Sequence, residues 1–253
     1  QKCQICIEST TNMAKDILGE ALLDFQNEKY TEDIKTFLTL NSQLKPEKDI
    51  LPLPYLFRGF ETMPQLEKEA LARCKGTVLD IGCGAGSHSL YLQEKGMSVT
   101  ALDSSEGAIE TCRLRGVEKC IYSKIIDFKG ERFDTLLLLM NGLGLAGTIE
   151  KLGLLFIHLK TLLNIGGQIL LDSSDIIYMF EQDEDGGHWM PDSNSYYGEV
   201  TFQMQYKQKT GASFEWLYLD YNTLQKVANA HNFSCELVSE GKHFDYLARI
   251  TSK

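Results

Sequence analysis

Between Val78 and Leu92 the chain reads VLDIGCGAGSHSLYL, an apolar run followed by glycines at alternate positions, Gly82, Gly84 and Gly86. A single glycine marks a turn. Three at this spacing describe a backbone that bends sharply and lets a ligand lie against main-chain N–H groups with no side chain between. A loop of this kind follows a buried strand, opens a helix, and sits where the carboxyl ends of parallel strands face a crevice.

The rest of the sequence agrees with such a sheet. After Gly76, TVLDIG, SVTALD, EKCIYSK, RFDTLLLLM and GGQILLDSS read as strands, and SHSLYLQEKG, SEGAIETCRLRG and TIEKLGLLFIHLKTLL as the helices between them. This alternation predicts a doubly wound α/β fold. Farther on, EVTFQMQYKQKTGASFEWLYLD reads as a hairpin about its KTG turn, YNTLQKVANAHN as a helix, and SCELVSE and FDYLARITS as a last strand pair. Upstream, Ile17, Leu18, Ala21, Leu22 and Phe25 share one helical face, and TEDIKTFLTL is read as a second amphipathic helix. The segment LKPEKDILPLPYLFRGFETMP carries four of the five prolines and is expected to be an extended connector. The expected division is a leader or disordered extension over 1–12, an N-terminal helical and lid segment over 13–75, and the main domain over 76–253 with a hairpin insertion at 186–220.

Composition narrows the partners. The net charge of -10 disfavours gripping a phosphate backbone, which needs clustered Lys and Arg, so no nucleic-acid partner is expected. The most apolar run, Thr135 to Met140, is far short of the ~20 residues of a membrane span. Seven scattered cysteines, an odd number, fit reduced thiols and a cytoplasmic setting. Cys3 and Cys6 form a C-x-x-C without the second ligand pair that zinc wants.

Two acids accompany the glycine loop. Asp80 precedes it, giving D-x-G-x-G-x-G, and Asp103 ends the next strand, 17 residues after Gly86. A carboxylate in the second position can accept hydrogen bonds from ribose hydroxyls. The dinucleotide pattern G-x-G-x-x-G fails at its last glycine, and Asp80 adds negative charge where a pyrophosphate would lie. A nucleoside with a cationic group and no phosphate suits the loop better.

VLDIGCGAGSHSLYLQEKG and VTALDSS resemble the first and second motifs of the class I S-adenosylmethionine-dependent methyltransferases, a resemblance that covers roughly Gly76 to Leu171. It implies a Rossmann-like seven-stranded sheet, mostly parallel with the last strand antiparallel, and S-adenosylmethionine as cofactor. On that pattern Asp80, Gly82, Gly84 and Gly86 line the methionine part, Asp103 holds the ribose, and Asp127 or a neighbour meets the adenine. Met140 and Asn141 fall beside the transferable methyl. Cys83, Ser104 and Phe128 are expected among the cofactor contacts. Tyr55 and Arg58, in PYLFRGFETM, are placed to reach the cofactor carboxylate.

The acceptor is less legible. Enzymes of this fold that methylate amino groups of DNA bases carry Asn or Asp followed by two prolines and an aromatic, and MNGLGLAG has no proline. A small-molecule acceptor is therefore expected, with a protein or RNA substrate, or cofactor binding without catalysis, as alternatives. Trp189, Tyr196, Tyr197, Tyr206, Trp216 and Tyr218 give the hairpin region an aromatic surface, although such rings also serve to pack a hairpin onto a sheet. His188 and His243 are the candidates for a base, His88 is expected to touch cofactor or backbone, and His158 to be structural. Asp172 and Asp175 are two oxygen ligands where a cation needs several, so no metal is expected and both are read as helix-capping residues.

Overall fold

The computed structural model describes residues 15–40, 45–180 and 195–253. The elements run α1 (Ile17–Gln26), β1 (Ile34–Thr39), β2 (Glu47–Leu51), α2 (Leu53–Leu56), α3 (Gln65–Arg73), β3 (Val78–Ile81), α4 (Ser87–Glu94), β4 (Val99–Asp103) and α5 (Glu106–Arg115). There follow β5 (Cys120–Tyr122), β6 (Phe133–Leu138), α6 (Ile149–Thr161), β7 (Leu163–Ser174), β8 (Glu199–Tyr206), β9 (Lys209–Thr210), β10 (Phe214–Leu217), α7 (Tyr221–Ala230), β11 (Phe233–Glu240) and β12 (Asp245–Ser252).

The larger sheet has the strand order β11-β12-β7-β6-β3-β4-β5. Strands β3 to β7 pair in parallel, and β12 lies antiparallel between β7 and β11. This is the seven-stranded, doubly wound arrangement expected. Because successive side chains alternate across a strand, continuous apolar runs serve both faces at once. Leu136, Leu138, Ile169 and Leu171 pack with α6 and α7 on one face. Leu137 and Leu170 pack with Leu66 and Leu71 of α3 and Leu92 of α4 on the other. Each fully buried leucine of this kind is worth about 1.5–3 kcal/mol.

The N-terminal segment departs from expectation. Its first helix is Ile17–Gln26; Ile34–Thr39, read as a second helix, is the strand β1. The supposed connector contains β2 and the short helix α2. These strands join the hairpin in a second sheet of order β10-β8-β1-β2, with Lys35 opposite Gln205 and Phe37 opposite Gln203. The hairpin is thus half of a composite sheet, made with strands far away in sequence. Within it Tyr206 is buried against Ile17, Leu22 and Ile34 as core, so it forms no part of an aromatic surface. No helix among the described residues is long and apolar enough to cross a membrane.

Candidate functional site

The buried strand β3 delivers the chain to the glycine loop beside the end of β4, where Gly82 N and Cys83 N both donate to Leu102 O at 2.8 and 3.2 Å. All three glycines have left-handed backbone, with φ of 74° at Gly82, 52° at Gly84 and 79° at Gly86. They differ in what surrounds them. A Cβ on Gly84 would meet nothing within 4 Å, and one on Gly82 would meet only Leu145, at 3.7 Å. A Cβ on Gly86 would fall 2.8 Å from Cys112 Sγ. The first two glycines therefore keep space open over the loop, and the third brings the loop down onto α5. The Cys83 side chain also points behind the loop, its Sγ 3.7 Å from that of Cys112.

Asp103 closes β4 and braces the loop: Oδ2 accepts from Gly84 N and Oδ1 from Ser105 N, both at 2.9 Å. Burial raises its carboxyl above the ordinary range while these two bonds oppose the shift. Next to it Asp16 caps two helices. Its Oδ1 accepts from Gly19 N of α1 at 2.8 Å, and its Oδ2 accepts from Ser105 Oγ at 2.8 Å and Gly107 N of α5 at 3.0 Å. A Cβ on Gly107 would come 2.5 Å from the Gly19 backbone, so α1 rests directly on α5 at the rim of the crevice. Nothing in the sequence pattern pointed to Asp16 beyond its place before an amphipathic run.

A cavity of about 1710 Å³ opens here. Of the expected cofactor contacts, Gly82, Gly84, Asp103 and Ser104 line it. On one side the wall continues through Tyr122, Ile125 and Ile126, on another through Leu145 and Ala146, and across from the loop through Met204, Phe214 and Trp216 of the second sheet. Asp127 is exposed and Phe128 buried in the core, and neither lines the cavity, whereas the neighbouring Ile125 and Ile126 do. Of the aromatic residues expected to surround an acceptor, Trp216 lines this cavity.

A second group of expected residues gathers behind the loop. Arg58 is buried, pairs with the buried Glu67 carboxylate, donates from Nη1 to Tyr55 O and lies 3.9 Å over the Tyr55 ring. Glu67 also takes His88 Nε2 at 2.8 Å. Burial alone would raise the Glu67 carboxyl; the His88 hydrogen bond and the charges of His88 and Arg58 outweigh it and hold it below the usual range. Asp80 lies buried nearby, its Oδ2 accepting from Ser89 Oγ at 2.6 Å, and burial raises its carboxyl. The Arg58–Glu67–His88 cluster has no sequence signature, since its members come from three separate elements.

After β6, Met140 and Asn141 both adopt left-handed backbone, with φ of 61° and 56°. Met140 is exposed and Asn141 half-buried. Their amides are held by Asp172, which is therefore not a helix cap; nor is Asp175, whose Oδ1 accepts from Ile177 N at 2.9 Å while Ile176 holds the cap position of the short turn Ile177–Met179. His243 is exposed on the turn between β11 and β12, at the crevice edge of the sheet. His188 and Trp189 lie outside the described residues.

The site fits a nucleoside with a carboxylate tail on its own terms. Arg58 Nε is buried with no hydrogen-bond partner among the described residues, a donor that a carboxylate would satisfy. Gly82 and Gly84 leave the loop open, and each Asp103 oxygen keeps a lone pair for a hydroxyl.

Comparison with known proteins agrees. A family model described as a methyltransferase domain matches residues 78–167. No curated protein sequence matches the chain. Two solved structures share the fold at low identity: the complex of DhpI with SAM and HEP, at 20% identity and a TM-score of 0.56 over 74% of this chain and 84% of that one, and the sugar N-methyltransferase KedS8 from Streptoalloteichus, at 14% and 0.56 over 84% and 97%. A SAM-dependent methyltransferase from Bacteroides fragilis, solved in complex with S-adenosyl-L-homocysteine, is 43% identical with a TM-score of 0.85, over 94% of this chain and 95% of that chain. With that identity along nearly the full length of both, and with the glycine loop and Asp103 arranged as described, the chain belongs to the S-adenosylmethionine-dependent methyltransferases.

Proposed function

We propose that the chain methylates a small molecule held between its two sheets. The observation that carries this reading is the cavity, whose volume of about 1710 Å³ exceeds the roughly 300–1000 Å³ of a site for one small ligand. It runs from Gly82 and Asp103 to Met204, Phe214 and Trp216, so a nucleoside at one end leaves an apolar, aromatic chamber at the other. The acidic net charge argues against a nucleic-acid acceptor.

S-adenosylmethionine supplies a methyl group on a sulfonium, open to in-line displacement. In this reading Asp103 takes the ribose hydroxyls, the open Cα faces of Gly82 and Gly84 leave room for the amino-acid part, and Arg58 Nε takes its carboxylate. The segment before the large sheet acts as the lid, with α1 along the cavity and Tyr55 and Arg58 behind the glycine loop. The apolar walls exclude water and hold the acceptor in line, which is where most of the rate advantage of such a reaction arises. A base is needed only for an acceptor that must lose a proton; His243 and His188 are the candidates.

The test is calorimetric titration with S-adenosylmethionine, S-adenosylhomocysteine and NAD. A panel of small amines, phenols and carboxylates follows, with S-adenosylhomocysteine release as the readout. Binding of both sulfur nucleosides and turnover with a small acceptor are expected. Turnover confined to peptides or RNA would overturn the small-molecule reading.

A further inference from the structure

Asp172 stands at the carboxyl end of β7, and the loop after β6 engages both of its oxygens. Met140 N donates to Oδ2 at 3.1 Å and Asn141 N to Oδ1 at 2.7 Å. Both donors belong to non-glycine residues in left-handed backbone, a conformation that side chains disfavour and that persists only where the surroundings enforce it. The Asn141 side chain is fixed as well: Oδ1 accepts from Ser173 Oγ at 2.8 Å, and Nδ2 donates to Leu217 O at 3.1 Å. A few residues on, the same loop brings Leu145 to within 3.7 Å of where a Gly82 Cβ would be. The turn that Asp172 holds therefore sets one wall of the crevice opposite the glycine loop.

We propose that Asp172 is a positioning residue for methyl transfer, its ionised carboxylate holding Met140 and Asn141 in the turn that shapes the cofactor crevice. The inference rests on the reading that this crevice holds S-adenosylmethionine. The carboxylate offers a strong acceptor to each amide; protonation turns one oxygen into a hydroxyl, a weaker acceptor that carries a donor of its own. The carboxyl is well placed to change charge in use. Burial raises it, the amides of Asn141 and Met140 and the charge of His88 on α4 lower it, Glu67 on α3 raises it, and it comes to rest at about 7. Tyr55 on α2 feels the same charge, with Arg58 set between Tyr55 and Glu67. His88, Glu67 and Arg58 are the other ionisable side chains gathered here, so the test compares variants as well as pH.

The experiment is calorimetric titration of the full chain with S-adenosylhomocysteine between about pH 6 and pH 8.5. Wild type, Asp172→Asn and the double variant Asp172→Asn with Met140→Gly are compared. Wild-type affinity should fall by roughly threefold or more from pH 8 to pH 6, while D172N should be roughly fivefold weaker at pH 8 and flat with pH. Glycine adopts the left-handed backbone without strain, so adding M140G should recover part of the loss. A D172N protein that binds like wild type at pH 8, or keeps the wild-type slope, overturns the inference. Should D172N fail to fold, hydrogen exchange in wild type decides. The Met140 and Asn141 amides should lose protection at pH 6 after correction for intrinsic rates, and unchanged protection overturns the role. Wild type that binds no S-adenosylhomocysteine at any pH would remove the cofactor site itself, a failure distinct from that of Asp172.

Discussion

The Trp216 indole lies so close over Gly144 that a Cβ on the glycine would stand 2.0 Å from Trp216 Cε2. Gly144 belongs to the loop after β6, and Trp216 to the second sheet, so this contact is where the hairpin closes on that loop. Gly144→Ala should force the indole or the loop to move and lower stability by about 1–3 kcal/mol, as overpacking does. Denaturant unfolding measures it. In a Trp216→Leu background the same alanine should cost much less, and equal costs in both backgrounds would show that the indole is not what the alanine meets.

Asp103 does two things at once, bracing Gly84 and Ser105 and offering its remaining lone pairs to the crevice. Asp103→Ala removes both. S-adenosylhomocysteine affinity should fall more than roughly tenfold, that is by about 1.4 kcal/mol or more. Unchanged affinity by calorimetry would take the ribose out of Asp103's reach.

Glu67 is bonded to two buried basic side chains, Arg58 and His88. Glu67→Ala leaves Arg58 buried without its counter-charge and should destabilise by about 3–5 kcal/mol. The pH dependence has a definite sign. The Glu67 carboxyl lies below its ordinary value of 4.5 in the fold, so its contribution is present above that value and lost as pH falls through the lower, folded one. Acid unfolding of wild type should therefore show a component that the variant lacks.

The large sheet was legible because parallel strands are buried on both faces and read as continuous apolar runs, as TLLLL does in β6. The second sheet was not. IKTFLT carries apolar residues that suit a helix as well as a strand, and what decides is pairing with Phe202 to Gln205, far along the chain. In the site, the glycine loop and Asp103 were readable from spacing. The division of labour between Gly82 and Gly84, which leave room, and Gly86, which packs on Cys112, depends on contacts with α5 that no spacing encodes. Asp172 was read as a helix cap for the same reason, since its partners lie in a loop contributed by a different strand.

Asp172 also carries a stability prediction whose sign opposes its role in binding. An ordinary aspartate titrates near 3.8, and burial pushes this one up to about 7. Between those values the folded chain keeps a proton that the unfolded chain has released. The contribution of Asp172 to stability is thus fully present below about 3.8 and lost as pH rises through about 7. Asparagine has nothing to titrate. The melting temperature of wild type relative to Asp172→Asn should therefore fall when the pH is raised from about 6 to about 8, the range over which the proton leaves the folded state. Cofactor affinity relative to the same variant should rise over that interval, because the ionised carboxylate is the form that holds the Met140–Asn141 turn. A residue that merely supported the fold would move both quantities together. Opposite movements in one pair of proteins would mark a site that gives up stability to hold a working geometry, and parallel movements would reduce Asp172 to a structural hydrogen-bond acceptor.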